Sequence, residues 1–209
     1  MLHFETVEPE TLSVLRRIQG IPELAEFYLV GGTALSLKYG HRISIDLDLF
    51  SHTIFDKSAI LNAMATEFGE DFVYEHSHTT WGIFCFIKDI KVDVVHYNHP
   101  AIGEAHVVDG IRMYSDDDII AMKKINAVLG RGKRKDFWDI SELLDHYSLD
   151  YMISCNRKKY PQQMILISIP SALTYFLDAE ESEDAVSLKG QSWESVKEHI
   201  QLKVREYLS

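Results

Sequence analysis

The sequence predicts an α/β (α+β) protein: a mixed β-sheet flanked by helices, followed by a helical C-terminal part. Three observations carry this expectation. A short apolar run, Phe27-Tyr28-Leu29-Val30, breaks at Gly31-Gly32 into a helix-like segment, the signature of a buried strand turning directly into a helix. Ile45 to Phe50 alternates as Ile-Asp-Leu-Asp-Leu-Phe, the period-two pattern of a strand. After Gly110 the strand patterns give way to helical ones.

Taken in order, residues 9–19 read as a helix opened by Pro9 and closed by Gly20. The strand at 27–30 follows, then a helix from Thr33 to Tyr39 with Gly40 as its C-cap. The alternation at 45–50 puts Asp46 and Asp48 on one face of a strand. Residues 57–68 give an amphipathic helix. Three β-rich stretches come next, at 72–76, 81–87 and 90–97, the last two joined by a turn at Lys88-Asp89. Ser115 is a good N-cap for a helix with Asp116, Asp117 and Asp118 in its first turn, running to Leu129 and stopping at Gly130. A second helix is expected over 134–147, with further helical segments near 151–159, 171–178 and 192–207. The acidic stretch from Ala179 to Gly190 reads as a mobile loop. The expected division is therefore 1–110 as an α/β core and 111–209 as a helical part.

At 209 residues with 46% hydrophobic and 25% charged content, the chain can bury a substantial core. It holds no apolar run of membrane-spanning length, and its acidic N-terminus does not read as a signal peptide, so no membrane partner and a cytoplasmic location are expected. Cys85 and Cys155, its two cysteines, exclude a disulfide framework and a four-thiolate zinc site. The net charge of -11 argues against coating nucleic acid by bulk electrostatics. That charge is uneven: residues 1–110 carry seven Lys and Arg against sixteen Asp and Glu, whereas 123–135 hold a compact basic cluster. An acidic half beside a basic cluster can gather metal ions at one place and phosphates at the other, though a salt-bridged helix pair is the plainer reading.

Asp46 and Asp48 are the first candidates for chemistry. Two carboxylates at i and i+2 project from one strand face, and between apolar neighbours they need cations or hydrogen-bond donors. Hard oxygen ligands so spaced suit Mg2+, which bridges nucleotide phosphates; an exposed edge strand with two solvated aspartates is the bland alternative. Upstream, Gly31-Gly32-Thr33 sets backbone N–H groups and a hydroxyl at a helix N-terminus, an anion site by geometry and dipole. Asp93, on the otherwise apolar strand Lys91-Val92-Asp93-Val94-Val95, would complete a three-carboxylate site for two Mg2+ ions if that strand lies beside 45–50.

With Arg42 and Ser44 between them, Gly31-Gly32-Thr33-Ala34-Leu35 and Asp46-Leu47-Asp48-Leu49-Phe50 resemble the nucleotidyltransferase signature of the DNA polymerase β superfamily, and in particular the AbiEii/AbiGii toxin family. Two further motifs of that family are matched by Lys124-Ile125-Asn126-Ala127-Val128-Leu129-Gly130-Arg131 and by Lys135-Asp136-Phe137-Trp138-Asp139, so the resemblance spans 31–139. It implies the nucleotidyltransferase fold and these roles. Gly31, Gly32 and Thr33 hold nucleotide phosphates, and Arg42 joins the nucleotide-binding set. Asp46 and Asp48 bind metal. Lys124 contacts the triphosphate, and Asp136 orients a reacting group or acts as a base. Arg131 and Lys135 add phosphate contacts or brace the site through Asp139.

The resulting expectation is a Mg2+-dependent transfer of an NMP from an NTP to an acceptor hydroxyl. The resemblance suggests RNA, such as the tRNA 3′ end, and a toxin with a cognate antitoxin; a protein hydroxyl is equally open as acceptor. A nucleotide- or partner-binding protein without turnover is the alternative, and retention of Asp46, Asp48, Lys124 and Asp136 argues against it. An aminoglycoside-modifying transferase is a third, disfavoured by the Lys-Asp-x-x-Asp motif. Other residues read blandly: His76 and His78 as surface histidines rather than zinc ligands, Phe137 and Trp138 as packing, Cys85 as a buried small hydrophobe.

Overall fold

The computed structural model describes residues 1–74, 79–130 and 132–209, with the side chain of Lys123 left aside. Helix α1 (Pro9–Gly20) precedes β1 (Tyr28–Val30), which runs without a loop into α2 (Gly31–Tyr39). Then come β2 (Leu47–Ser51), α3 (Lys57–Phe68), β3 (Phe72–Tyr74), β4 (Gly82–Ile87), β5 (Ile90–His96), β6 (His106–Val108) and β7 (Ile111–Met113). Among the described residues these strands form one sheet in the order β3-β4-β5-β2-β1-β7-β6. Two pairings, β2 with β5 and β1 with β7, are parallel and the others antiparallel, so the sheet is mixed, as the sequence predicts.

Local chemistry sets the corners. Gly31 takes φ 79°, a left-handed conformation that lets β1 turn into α2 without a Cβ clash. Lys88 supplies φ 54° in the two-residue turn between β4 and β5, where hairpins need a positive φ. The central strands are dry: Leu49, Val92 and Val94 are fully buried. On β2 and β5 the alternate residues Asp48 and Asp93 point to the opposite face, where they stand side by side in parallel register.

The sheet does not end where the sequence suggested. Position 110 falls within the β6–β7 hairpin, and β7 returns to pair beside β1. A three-residue strand carries too little periodicity to be seen in advance. The helical run then begins with α4 (Asp116–Ile119), capped by the Ser115 hydroxyl, and continues through a π-helical stretch (Ile120–Ile125) into α5 (Asn126–Gly130). The expected single helix is thus widened in its middle, at the turn that carries Lys124, a deviation often found at functional positions. After it come α6 (Arg134–His146), α7 (Leu149–Lys159), the short α8 (Ile169–Leu173) and α9 (Leu177–Glu180), and α10 (Trp193–Leu208). Trp138 stacks on Trp193 with ring centroids 5.6 Å apart, packing α6 on α10.

Asp118 is more than a first-turn acid. Fully buried, it takes the Lys159 ammonium at 2.5 Å, the Ser115 hydroxyl at 2.7 Å and the N–H groups of Ile102 and Gly103. Burial lowers the affinity of Lys159 for its proton, which Asp118 counters. The pair staples α4 and α7 to the loop after β5.

The acidic stretch 179–190 is an ordered strap, contrary to the mobile loop expected. Its backbone pairs with residues 41–43: Ile43 N–H donates to Val186 O and Leu188 N–H to His41 O, both at 2.9 Å. Arg134 grips Glu180 and Asp184 at 2.9 and 2.7 Å, and Lys189 reaches Glu142 at 2.6 Å. Glu180 and Asp184, which look solvated in sequence, are thus matched by Arg134 on α6, and Glu180 also by Lys197 on α10.

Candidate active site

A cleft of about 260 Å3 opens over the carboxyl face of β2 and β5. Its lining includes Gly32, Thr33, Arg42, Asp46, Asp48, Asp93, Lys124, Lys135 and Asp136. The structure thus brings together residues from α2, β2, β5, the π-helical turn and α6 that lie up to 104 positions apart in sequence. Gly31 is buried at the turn behind this wall. Arg131, and the pair His76 and His78, lie outside the described residues.

A buried ionic hub stands at the back of the cleft. Asp139 is fully buried and receives the Arg42 guanidinium as a fork, Nε at 2.6 Å and Nη2 at 2.8 Å. His41 Nε2 donates to the same carboxylate at 2.6 Å, and the Lys124 ammonium completes the set. Burial alone would raise the Asp139 pKa; Arg42 and Lys124 beside it hold the carboxyl well below the usual carboxylate range. Burial likewise opposes the charge on Arg42, and Asp139 more than restores it. Arg42 therefore acts as a strut, its fork committed to Asp139 and its Nη1 to Ile43 O, rather than as a free phosphate ligand.

That strut explains Gly32. A Cβ at position 32 would overlap the Arg42 Nη2 and approach Cζ at 3.3 Å. The guanidinium fills the space that a side chain at 32 would need. Gly32→Ala is expected to lower stability by roughly 1–3 kcal/mol, an overpacking effect. A urea midpoint within error of the wild type would refute this.

Thr33 also turns inward. Its hydroxyl donates to the Asp46 carbonyl and lies 2.8 Å from the Ser44 hydroxyl, so it fixes the approach of β2 and the aim of Asp46. Asp136 uses one oxygen to accept Lys133 N–H at 3.2 Å, capping its own helix, and faces Lys124 with the other at 3.4 Å. Lys135 pairs with Asp46 at 2.9 Å and Lys91 with Asp93 at 2.6 Å. No three acidic, imidazole or thiol side chains among the described residues are arranged as a ready metal cage. The donor set still suits a hard divalent cation: carboxylate oxygens, two of them adjacent in register, in a cleft that already collects cations. The thiols add nothing reactive, since burial pushes Cys85 up to about 12 and Cys155 up to about 11.

Comparison with known proteins fits this geometry. A family model described as "Nucleotidyl transferase AbiEii toxin, Type IV TA system" matches residues 13–78, which contain the Gly31–Thr33 turn and both Asp46 and Asp48. Over its whole length the chain is similar to an uncharacterized protein of Aquifex aeolicus (strain VF5): 31% identity, covering 97% of this chain and 98% of that one. The chain belongs to the AbiEii nucleotidyltransferase family. Solved structures agree on the fold. One is a candidate nucleotidyltransferase from H. pylori (TM-score 0.56, 20% identity, 97% and 99% of the two chains). Another is JHP933 from Helicobacter pylori (0.55, 19%, 96% and 92%), and a third the antibiotic-resistance factor ANT(2'')-Ia (0.52, 15%, 73% and 94%). No helix of the described residues is long and apolar enough to cross a membrane.

For this AbiEii-family chain, the reading of single residues missed His41, which looked like one histidine among ten. Its adjacency to Arg42 was the available signal: consecutive residues that both turn into the interior need a shared acid. Asp139 was expected to brace the site, and its position between His41, Arg42 and Lys124 gives that brace its form.

Proposed function

We propose that the chain moves an NMP from an NTP to an acceptor hydroxyl, with Asp46, Asp48 and Asp93 as ligands for Mg2+. The observation that carries this reading is the pairing of Asp48 with Asp93 across β2 and β5, facing Lys124 and Lys135 in one cleft. Mg2+ held by these carboxylates would supply charge neutralisation of the triphosphate and a lowered pKa of the attacking hydroxyl. The protein's own groups do the rest. Thr33 and Ser44 aim Asp46. Lys135 is positioned to release Asp46 and turn to phosphate oxygens when a nucleotide arrives, since its side chain is half-exposed. Lys124, held by Asp139 and Asp136, presents a fixed positive charge to the departing pyrophosphate. Asp136 serves by orienting Lys124, which both its contacts and its burial favour over a role as proton acceptor. Arg131 remains a proposed phosphate contact.

Because Lys124, Lys135 and Asp136 all come from beyond residue 110, the helical part 111–209 is proposed to complete the nucleotide site of the α/β core. RNA is the proposed acceptor, such as the tRNA 3′ end, with a cytoplasmic location. A toxin role with a cognate antitoxin as partner is the extension that the family description supports.

The test is incubation with each α-labelled NTP, Mg2+ and total tRNA, alongside Asp48→Ala. Label in RNA with the wild type alone is the expected result. Label on protein would move the acceptor to a side-chain hydroxyl. Nucleotide binding without transfer to any acceptor would overturn the reading.

A further inference from the structure

Beside the carboxylates, the sheet face continues with rings that are exposed among the described residues. In register with Asp93 across β4 stands Phe84, and in register with Lys91 stands Phe86, itself opposite Val73 on β3. The Trp81 ring packs edge-on to Phe84 with centroids 5.0 Å apart. Trp81, Phe86 and Val73 are 51%, 48% and 52% exposed. Gly82 permits this arrangement, since a Cβ there would meet the Phe84 ring at 3.0 Å. Rings that a monomer has no need to expose thus lie in one row leading to the catalytic carboxylates.

The direction of the row identifies what could use it. In phosphoryl transfer the attacking and leaving oxygens stand roughly in line. The cations suited to the leaving pyrophosphate, Lys124 and Lys135, belong to the helical part, and the buried strut Arg42 sits against the β1–α2 turn. The acceptor hydroxyl must then come from the opposite side of Asp48, past Asp93, across β5 and β4. We infer that Trp81, Phe84 and Phe86 form a stacking platform for the unpaired 3′ end of an RNA acceptor, with Lys91 beside its last phosphate. This rests on the nucleotidyltransferase reading above and names how its acceptor is held. Exposed ring faces stack on any base, but only on bases whose own faces are free, so the platform selects single strands over duplex. In a chain of net charge -11, bulk attraction to phosphates contributes little, so stacking is expected to carry much of the binding.

Trp81 also supplies the probe. Of the three tryptophans, Trp138 and Trp193 are buried, so quenching by a bound base reports on Trp81. An unstructured oligoribonucleotide of A and C is expected to quench the fluorescence, with a shallow salt dependence; the same strand annealed to its complement is not. Trp81→Ala combined with Phe86→Ala should raise the KM for that oligonucleotide about tenfold or more, while NTP affinity, measured separately by calorimetry, stays unchanged. Trp81→Phe, which keeps a ring, should stay near the wild type. Both sites are half-exposed, so the variants should fold, which thermal unfolding checks. The platform is overturned if RNA is labelled but the double variant keeps the wild-type acceptor KM, if duplex quenches as well as single strand, if label goes to protein, or if the double variant instead dissolves an oligomer. Absence of transfer to any acceptor by the wild type, with intact quenching, would sink the enzymatic reading but leave the platform standing.

Discussion

Asp48→Ala is expected to reduce nucleotidyl transfer on the order of 10³-fold while the protein stays folded. The side chain emerges between Leu47 and Leu49, which are buried in the core, so the strand keeps its anchors without it. Asp48 stands beside Asp93 in register and lines the cleft. The thermal midpoint should stay close to that of the wild type while kcat collapses. Asp48→Asn should fall nearly as far, because it keeps the shape and loses the charge a divalent cation needs. Initial rates of labelled NMP transfer, paired with thermal unfolding, check both. Activity within tenfold of the wild type would remove Asp48 from the chemistry.

Asp139→Ala should act in the opposite sense, on the fold first. With the carboxylate gone, Arg42 and Lys124 are left as buried charges without their shared acid, and His41 loses its acceptor. Breaking such a buried cluster costs about 3–5 kcal/mol, much of an ordinary domain's stability. Asp139→Asn keeps the volume and some hydrogen bonds and should lose less. Acid linkage gives a second readout. The folded carboxyl has its pKa depressed, so its contribution is fully present above the unfolded value near pH ~4 and is lost as pH falls through the folded value. Urea midpoints followed downward from neutral pH should fall more steeply in the wild type than in Asp139→Ala. Parallel curves would show that Asp139 does not carry this linkage.

The main elements and the strand pair that carries Asp48 and Asp93 were legible in the sequence because each depends on local pattern. Alternation at 45–50 marked β2 and the β-rich stretch at 90–97 marked β5, Gly40 marked the end of α2, and Ser115 the start of α4. The adjacency of Asp48 and Asp93 needed only the guess that two strands pair. What escaped depends on partners far along the chain. Arg42 reads as a phosphate ligand until its fork is seen on Asp139, 97 residues away. Gly32 looks like room for a ligand until the same guanidinium fills it. The acids of 179–190 look solvated because Arg134 and the backbone of residues 41–43 lie out of sight in a linear reading. Lys159 resembles any surface lysine at a helix end, yet it is fully buried on Asp118.

The strap also sets the order in which the molecule can become competent. Its hydrogen bonds from Val186 and Leu188 seat the backbone of His41 and Ile43, and so the strut between them. During synthesis the sheet's central strands emerge long before those residues do. A growing chain that already displays the Asp48–Asp93 pair still lacks the edge that locks Arg42 into register. The contacts that brace residues 41–43 from this side therefore form only once the last quarter of the sequence has been made.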